Sequence, residues 1–261
     1  LVLENPRVHI STAALSLLAE QGVAVAVCDR KHMPTGMLLP HCAHSRQLGV
    51  TRLQFAQTLP QKKRLWQRIV RSKIQNQAEC LSGLGLGGAP KLRSYAAAVL
   101  SGDSSGMESA AARMYFKRLI PDATRRSPDG PGRSLDYGYA IVRAAIARSL
   151  VGHGLFPPVG LHHDSQLNAF NLADDVLEPY RPFVDFIAMS GSADASTAEG
   201  RRILVSVLQA PCVLLSRSHT LLTAIDATVA GLVRAIAEKN ASLLPLPELI
   251  PVDDIPAALM E

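Results

Sequence analysis

Aromatic side chains make up only 5% of the 261 residues, and there are only four cysteines. Long apolar runs are also missing: even the longest, such as Val23 to Val27, fall far short of the roughly 18–20 residues needed to cross a bilayer, which excludes a membrane-spanning helix. Cys28, Cys42, Cys80 and Cys212 are widely spaced and form no C-x-x-C pair. That spacing argues against a zinc ribbon and against a disulfide framework, leaving four reduced, mostly buried thiols as the expectation. The first residues contain no basic stretch, apolar core and small-residue cleavage site, so no export signal is expected and the protein is read as cytoplasmic. There is no initiator Met; Leu1-Val2-Leu3-Glu4 reads as the middle of a strand, and the chain is expected to lack its natural beginning.

What is present is the composition of a globular protein, 48% hydrophobic and 19% charged, long enough for one large domain or two smaller ones. The net charge of +5 is unevenly spread. Between His41 and Cys80 stand Arg46, Arg52, Lys62, Lys63, Arg64, Arg68, Arg71 and Lys73 against the single acid Glu79, and the rest of the chain is net negative. Positive charge concentrated in one segment suits a polyanion, because neutralising phosphates releases their counterions. Nucleic acid is therefore the expected partner, and no membrane partner is expected.

The pattern along the chain predicts an α+β protein. Ser11 to Gln21 reads as a short helix with Ser11 or Thr12 as its cap and Gly22 as its stop. Val23 to Cys28 reads as a buried strand and Gly36 to Leu39 as a second one after a Pro-Thr-Gly turn. From about Gly49 the pattern turns to long helical stretches, which places a boundary within Pro40 to Leu48. Residues 1–45 are thus the remnant of a small β-rich N-terminal domain, and residues 46–261 a larger all-α domain. Pro60 opens a helix whose Leu65, Ile69, Trp66, Val70 and Ile74 form an apolar face, with Arg64, Arg68 and Arg71 on one solvated basic side. The glycine run from Ser82 to Gly88 follows a helix and lacks a P-loop Lys, so it reads as a connector. Asp129 to Gly132 and Ser190 to Thr197 read likewise.

Three places carry acids or imidazoles that amphipathicity does not require. Glu108 stands in Ser105-x-x-Glu108, the pattern of a capping box, where its carboxylate would serve a helix start. His162 and His163 follow Phe156-Pro157-Pro158 in a loop, and as neighbours they point in different directions, so one at most is a ligand. Asn171, Asp174, Asp175 and Glu178 recur at i, i+3, i+4 and i+7, one polar stripe with Leu172, Val176 and Leu177 on the buried side. No Lys or Arg interleaves these carboxylates, which repel one another, and a bound cation would remove that cost. Carboxylates with at most one imidazole suit Mg²⁺ or Mn²⁺ better than Zn²⁺. With the basic segment, the pattern suggests metal-dependent cutting or joining of nucleic acid.

The motifs Glu108-Ser-Ala-Ala-Ala-Arg-Met-Tyr-Phe, Leu135-Asp-Tyr-Gly-Tyr-Ala-Ile-Val-Arg-Ala-Ala-Ile-Ala-Arg, and the run from Gly160-Leu-His-His-Asp to Asp185 resemble the CRISPR-associated integrase, protein one of the adaptation module. The resemblance runs from end to end and is nearest to the type II branch. It implies a β-rich N-terminal domain on a helical catalytic domain, and a catalytic metal site of Glu108, His163 and Glu178 holding Mg²⁺ or Mn²⁺. His163 and Glu178 are separated by 15 positions, as in the family motif, and His163 is preferred to His162 by register. Asp175, one turn before Glu178, either completes the site or supports it from behind. The implied reaction inserts short DNA fragments into a CRISPR array by attack of a 3′-OH on a phosphodiester, with nuclease activity as its hydrolytic counterpart. The implied partners are double-stranded DNA and, for a homodimer, the small companion protein two. Arg64, Arg68, Arg71, Lys73, Arg113 and Arg181 are the candidates for holding DNA, and Tyr137 either lies near it or belongs to the core. Strands before Leu1, which supply much of the family's dimer interface, would be missing here. Two other readings are a catalytically silent DNA-binding subunit and a metal-dependent repair nuclease.

Overall fold

The computed structural model describes residues 1–5, 7–30, 32–40, 46–121, 131–191 and 193–250. Cys42, part of the boundary region at 40–48, and parts of the connectors at 129–132 and 190–197 lie outside the described residues. Among the described residues no helix is long and apolar enough to cross a membrane. Cys28, Cys80 and Cys212 are free thiols, the last two buried.

The N-terminal unit is a three-stranded sheet with one helix. Strand β1 (Val2–Leu3) leads through α1 (Thr12–Glu20) to β2 (Val25–Cys28), which pairs parallel to β1 with Val2 opposite Ala26. The antiparallel β3 (Pro34–Leu38) completes the sheet, Val25 facing Leu38. Ser11 caps α1, its hydroxyl accepting from the Ala14 amide at 3.2 Å, and Gly22 ends it with φ +68°.

From Gln47 onward helices dominate: α2 (Gln47–Phe55), α3 (Leu59–Gly83), α4 (Ala89–Ala98), α5 (Met107–Leu119) and α6 (Gly132–Gly152), then α7 (Asn171–Leu177), α8 (Arg181–Ser190), α9 (Ala198–Val205) and α10 (Leu221–Ala237). Helix α3 runs through the middle of this unit. Its start is fixed by a reciprocal pairing of Thr58 with Gln61, the Thr58 amide donating to Gln61 Oε1 at 2.7 Å, and by Pro60 in the first turn. Leu65, Trp66, Ile69, Val70, Ile74 and Leu81 bury one face of it in the core shared with α4 to α8 and α10. Helices α6 and α8 approach closely at Gly138, where a Cβ would lie 2.4 Å from Val184 Cγ1. The glycine run closes α3 with Ser82 and Gly83, and its residues 84–88 form the turn joining α3 to α4, with φ +68° at Gly85 and +118° at Gly88.

The helical unit departs from the all-α expectation in one place. Strands β4 (Pro211–Leu214) and β5 (Arg217–Thr220) form a hairpin against the start of α10. Its two-residue turn places Leu215 and Ser216 at positive φ, 50° and 63°. Glycine or Asn normally marks such a turn, so the sequence lacks the usual signal.

The two units are joined by charge. The Glu4 carboxylate, just after β1, accepts hydrogen bonds from the Tyr137 hydroxyl of α6 and from Arg201 Nε of α9 at 2.7 Å, while Arg201 Nη1 donates to the Ala195 carbonyl. Tyr137 is thereby fully buried, which removes it from any DNA surface. Burial acts to raise the Glu4 pKa, but the Tyr137 and Arg201 hydrogen bonds outweigh it and hold the carboxyl below its ordinary range. A group with a lowered folded-state pKa contributes stability above its unfolded pKa and loses it as pH falls through the folded value. Glu4→Gln is therefore expected to cost about 1–2 kcal/mol at pH 7, with the difference from wild type closing below about pH 4. Urea denaturation of both proteins at pH 7 and pH 3 checks this; an equal gap at both values would refute it.

Candidate functional site

Lys73 follows Trp66, Ile69 and Val70 by seven, four and three positions, so the turn of α3 carries it onto the helix's buried face. Its ammonium stands 2.7 Å from Glu108 Oε1 and 2.5 Å from Glu178 Oε2, joining α5 to the end of α7. The Lys73 side chain is 11% exposed and that of Glu178 6%. Burial alone would lower the Lys73 pKa, but the Glu178 and Glu108 carboxylates more than reverse this and raise it. For Glu178 burial acts upward, and the adjoining Lys73 and Arg181 charges overcome it, bringing the carboxyl down to about 2. Lys73 therefore belongs to the carboxylate cluster, and its charge is already committed to two acids.

Glu108 is free to take part because another residue caps its helix. The Ser105-Glu108 capping box does not form; Asp103 Oδ1 and Oδ2 instead accept from the amides of Met107 and Glu108 at 2.9 and 3.0 Å. Ser105 turns back to accept from the Leu100 amide and donate to the Ala98 carbonyl. Asp103 reaches the helix start from an adjoining turn with φ +52°, a conformation the pattern of residues does not announce.

Glu178 sits where α7 passes through a tight turn, Glu178–Tyr180, into α8. Pro179 and Pro182 fit the first turns of these short helices. The turn is held from behind: Asn76 of α3 donates to the Pro179 carbonyl at 2.8 Å, and the Tyr180 hydroxyl donates to Thr228 Oγ1 at 2.7 Å. Arg181 Nε donates to Glu178 Oε1 at 2.8 Å, and its guanidinium lies 4.6 Å from the centre of the Tyr139 ring. The Tyr139 hydroxyl donates in turn to buried Asp185, which also accepts from Tyr115 at 2.8 Å. The tyrosines do not stand out in the sequence, because an aromatic on a helix's buried stripe reads as ordinary core, whereas Asp185, an acid among apolar residues of α8, carried a signal that was not used.

The histidine loop is built around Asp175, which is fully buried. Its carboxylate accepts from the amides of Leu161, His162 and His163, and from His163 Nδ1 at 2.7 Å. Hydrogen bonding to Asp175 raises the His163 pKa against the opposing effect of burial. With Nδ1 engaged, Nε2 is the ring nitrogen available to a ligand, and the side chain is 41% exposed. The His162 ring lies flat on Trp66, centroids 4.2 Å apart. Only glycine fits at Gly160, where a Cβ would meet the His163 carbonyl oxygen at 2.2 Å. Two residues of the basic segment fasten this loop: Lys62 Nζ donates to the Gly160 carbonyl at 2.9 Å, and buried Gln54 bonds the Phe156 amide and the carbonyls of Phe156 and Val159.

The stripe from Asn171 to Glu178 is thus not one crowded surface. Asp174 pairs with Arg143 at 3.6 Å and with Asn168, Asp175 with the histidine loop, Glu178 with Lys73 and Arg181, and Asn171 with the carbonyls of Pro158 and Ser165. Arg181 stands three positions after Glu178, but Arg143, Lys73 and the histidine loop come from distant elements, which a single helix's spacing cannot show. Among the described residues, no three His, Cys, Asp or Glu side chains converge closely enough as they stand to hold a metal ion. Of the basic candidates, Arg64, Arg71 and Arg113 are exposed, although Arg71 also donates to the Val99 carbonyl at 2.9 Å. Arg68 is half-buried and donates to the Leu244 carbonyl, and Arg181 faces Glu178.

This arrangement of a small sheet against a mainly helical unit with a long central helix is a fold found in solved structures. A casposase bound to its integration product superimposes with a TM-score of 0.72 at 18% identity, over 88% of this chain and 76% of that one. A Cas6-RT-Cas1–Cas2 complex superimposes with a TM-score of 0.66 at 20% identity, over 90% of this chain and 30% of that one. These likenesses establish the shared fold. At the level of sequence, the family model for CRISPR associated protein Cas1 matches residues 1–197. The CRISPR-associated endonuclease Cas1 of Neisseria meningitidis serogroup C (strain 8013) is 38% identical over 261 residues, covering 97% of this chain and 86% of that protein. The chain belongs to the Cas1 family.

Gln54 gives the loop a measurable dependence on α2. Gln54→Ala strands the Phe156 amide and the Val159 carbonyl, while the Phe156 carbonyl keeps its bond from the Val159 amide, and is expected to cost about 2–3 kcal/mol. Denaturant unfolding gives the total, and amide exchange should show the loop around Phe156 opening first; an unchanged midpoint would show that Gln54 is not its anchor.

Proposed function

We propose that the protein is a divalent-metal-dependent DNA integrase and endonuclease that inserts short DNA fragments into a CRISPR array. The observation that carries this reading is the meeting of Glu108 and Glu178, from separate helices, across a buried cation; His163, whose Nδ1 is held by Asp175, lies within electrostatic reach of Glu178. The named activity of the Neisseria relative and the casposase likeness point the same way.

The donor set fits Mg²⁺ or Mn²⁺: two carboxylates and one imidazole, hard oxygens in the majority. The Lys73 ammonium marks a place between the acids that already accommodates a cation, and Glu178 Oε2 contacts it without an aligned hydrogen bond. Glu108, His163 and Glu178 would hold the ion, which when bound supplies Lewis acidity for the attacking 3′-OH and the leaving oxygen. Asp175 supports from behind: its two oxygens are spent on three amides and His163, fixing the imidazole's orientation. Arg181 keeps Glu178 charged and aimed. Exposed Arg64, Arg71 and Arg113 are suited to phosphate contact. A homodimer working with the small companion protein is part of this reading; the Cas1–Cas2 complex among the structural neighbours supports a Cas2 partner.

The test is transfer of a labelled short duplex with free 3′-OH ends into a plasmid carrying the CRISPR repeat, with Mn²⁺ and the companion protein. Wild type should join strands at the repeat border, Glu178→Ala and His163→Ala should fall to background, and Asp175→Asn should lose about 10–100-fold. Retained transfer in Glu178→Ala would reject this metal site. DNA binding without transfer by wild type would favour the silent subunit, and cutting independent of repeat DNA the repair nuclease.

A further inference from the structure

Both carboxylates are already in contact with cationic side chains without any added ion. Glu108 and Glu178 bring two negative charges; Lys73 contacts both, and Arg181 contacts Glu178. Lys73 is the more committed of the two cations, since its one ammonium takes an oxygen from each acid at 2.7 and 2.5 Å while the rest of its side chain is buried in α3's apolar face. Arg181 takes the other oxygen of Glu178 and rests on Tyr139, so it does not block the space between the acids. A divalent ion seeking Glu108 and Glu178 therefore meets an occupant of the same sign on the same oxygens.

We infer that Lys73 is a resident counter-ion that competes with the divalent metal for Glu108 and Glu178, and so makes metal uptake conditional on DNA. This rests on the metal-site reading above. Without metal, the ammonium keeps two acids from distant parts of the chain charged and together, a pairing that repulsion would otherwise oppose. With metal alone, the pocket would hold two cationic side chains and a divalent ion against two carboxylates, an excess of positive charge in a poorly solvated place. A DNA phosphate supplies the missing negative charge and offers the displaced ammonium a new partner. Metal and DNA thus strengthen each other's binding, by the same factor in both directions. Lys73 has a flexible four-carbon stem ending in a single point charge, which suits a group that must change partners.

Mn²⁺ binding to the whole protein, followed by electron paramagnetic resonance with and without a short duplex bearing free 3′ ends, tests the inference through a readout independent of catalysis. Lys73→Met should bind Mn²⁺ about tenfold more tightly than wild type in the absence of DNA. Added duplex should strengthen Mn²⁺ binding clearly in wild type and much less in Lys73→Met. Lys73→Arg carries the same test should Lys73→Met fail to fold: its guanidinium can grip both carboxylates at once, and Mn²⁺ binding without DNA should weaken several-fold. Unchanged or weaker Mn²⁺ binding by folded Lys73→Met, or unchanged binding by Lys73→Arg when that variant carries the test, overturns the counter-ion role. Glu178→Gln separates that failure from the failure of the site: if it binds Mn²⁺ as wild type does, the metal-site reading falls, and the inference with it.

Discussion

The Lys73 ammonium between Glu108 and Glu178 is the contact on which the geometry of the candidate site depends. Two carboxylates from separate helices, one of them almost wholly buried, repel each other and lose hydration on approach. A cation between them turns that cost into attraction and sets their separation. The lysine is delivered by α3, whose capped start and apolar face fix its rotation and depth. Breaking one side of such a buried pair leaves a charge uncompensated, so the cluster couples the site to the core on which it stands.

Around this contact the helical unit builds supports rather than further ligands. Asp185 and two tyrosines lie behind Arg181, Arg181 holds Glu178, and Asn76 secures the turn in which Glu178 lies. On the other side Asp175 organises the histidine loop through three amides and one imidazole, while Gln54 and Lys62 tie that loop to α2 and α3. Part of the basic segment that suggests nucleic acid in the sequence is thus used internally. Lys62, Arg68 and Lys73 hold protein groups, while Arg64 stays open to solvent and Arg71 is exposed even as it bonds to the Val99 carbonyl. Net charge along a chain measures how many cations there are, not which of them face outward.

Much was legible from residue order alone. The start and stop of α1 at Ser11 and Gly22, the opening of α3 near Pro60 and its apolar face, and the strands around Val25 and Gly36 all follow from local caps, turns and periodicity. Glu108, the His162-His163 pair and the acids Asp174, Asp175 and Glu178 also stood out, because acids and imidazoles at those places serve no amphipathic purpose; the choice of Glu108, His163 and Glu178 among them came from the family resemblance. The hairpin at Leu215–Ser216 was not legible, since its turn uses residues that rarely accept positive φ. The cap of α5 was misread because Asp103 reaches it from outside the usual spacing.

What the sequence determined by itself was the class of most segments, because helix, strand and cap formation are governed by neighbours within a few positions. Tertiary structure alone decided which charges meet. Lys73 and Glu178 are far apart in the chain, yet they touch because α3 and the turn after α7 cross in the core. Likewise the stripe from Asp174 to Glu178 reads as a mutually repelling row in isolation and becomes three separately compensated acids once Arg143, His163 and Lys73 arrive from elsewhere, with only Arg181 supplied by the adjoining residues. Electrostatic energy depends on distance through space and on burial, and neither is set by position along the chain.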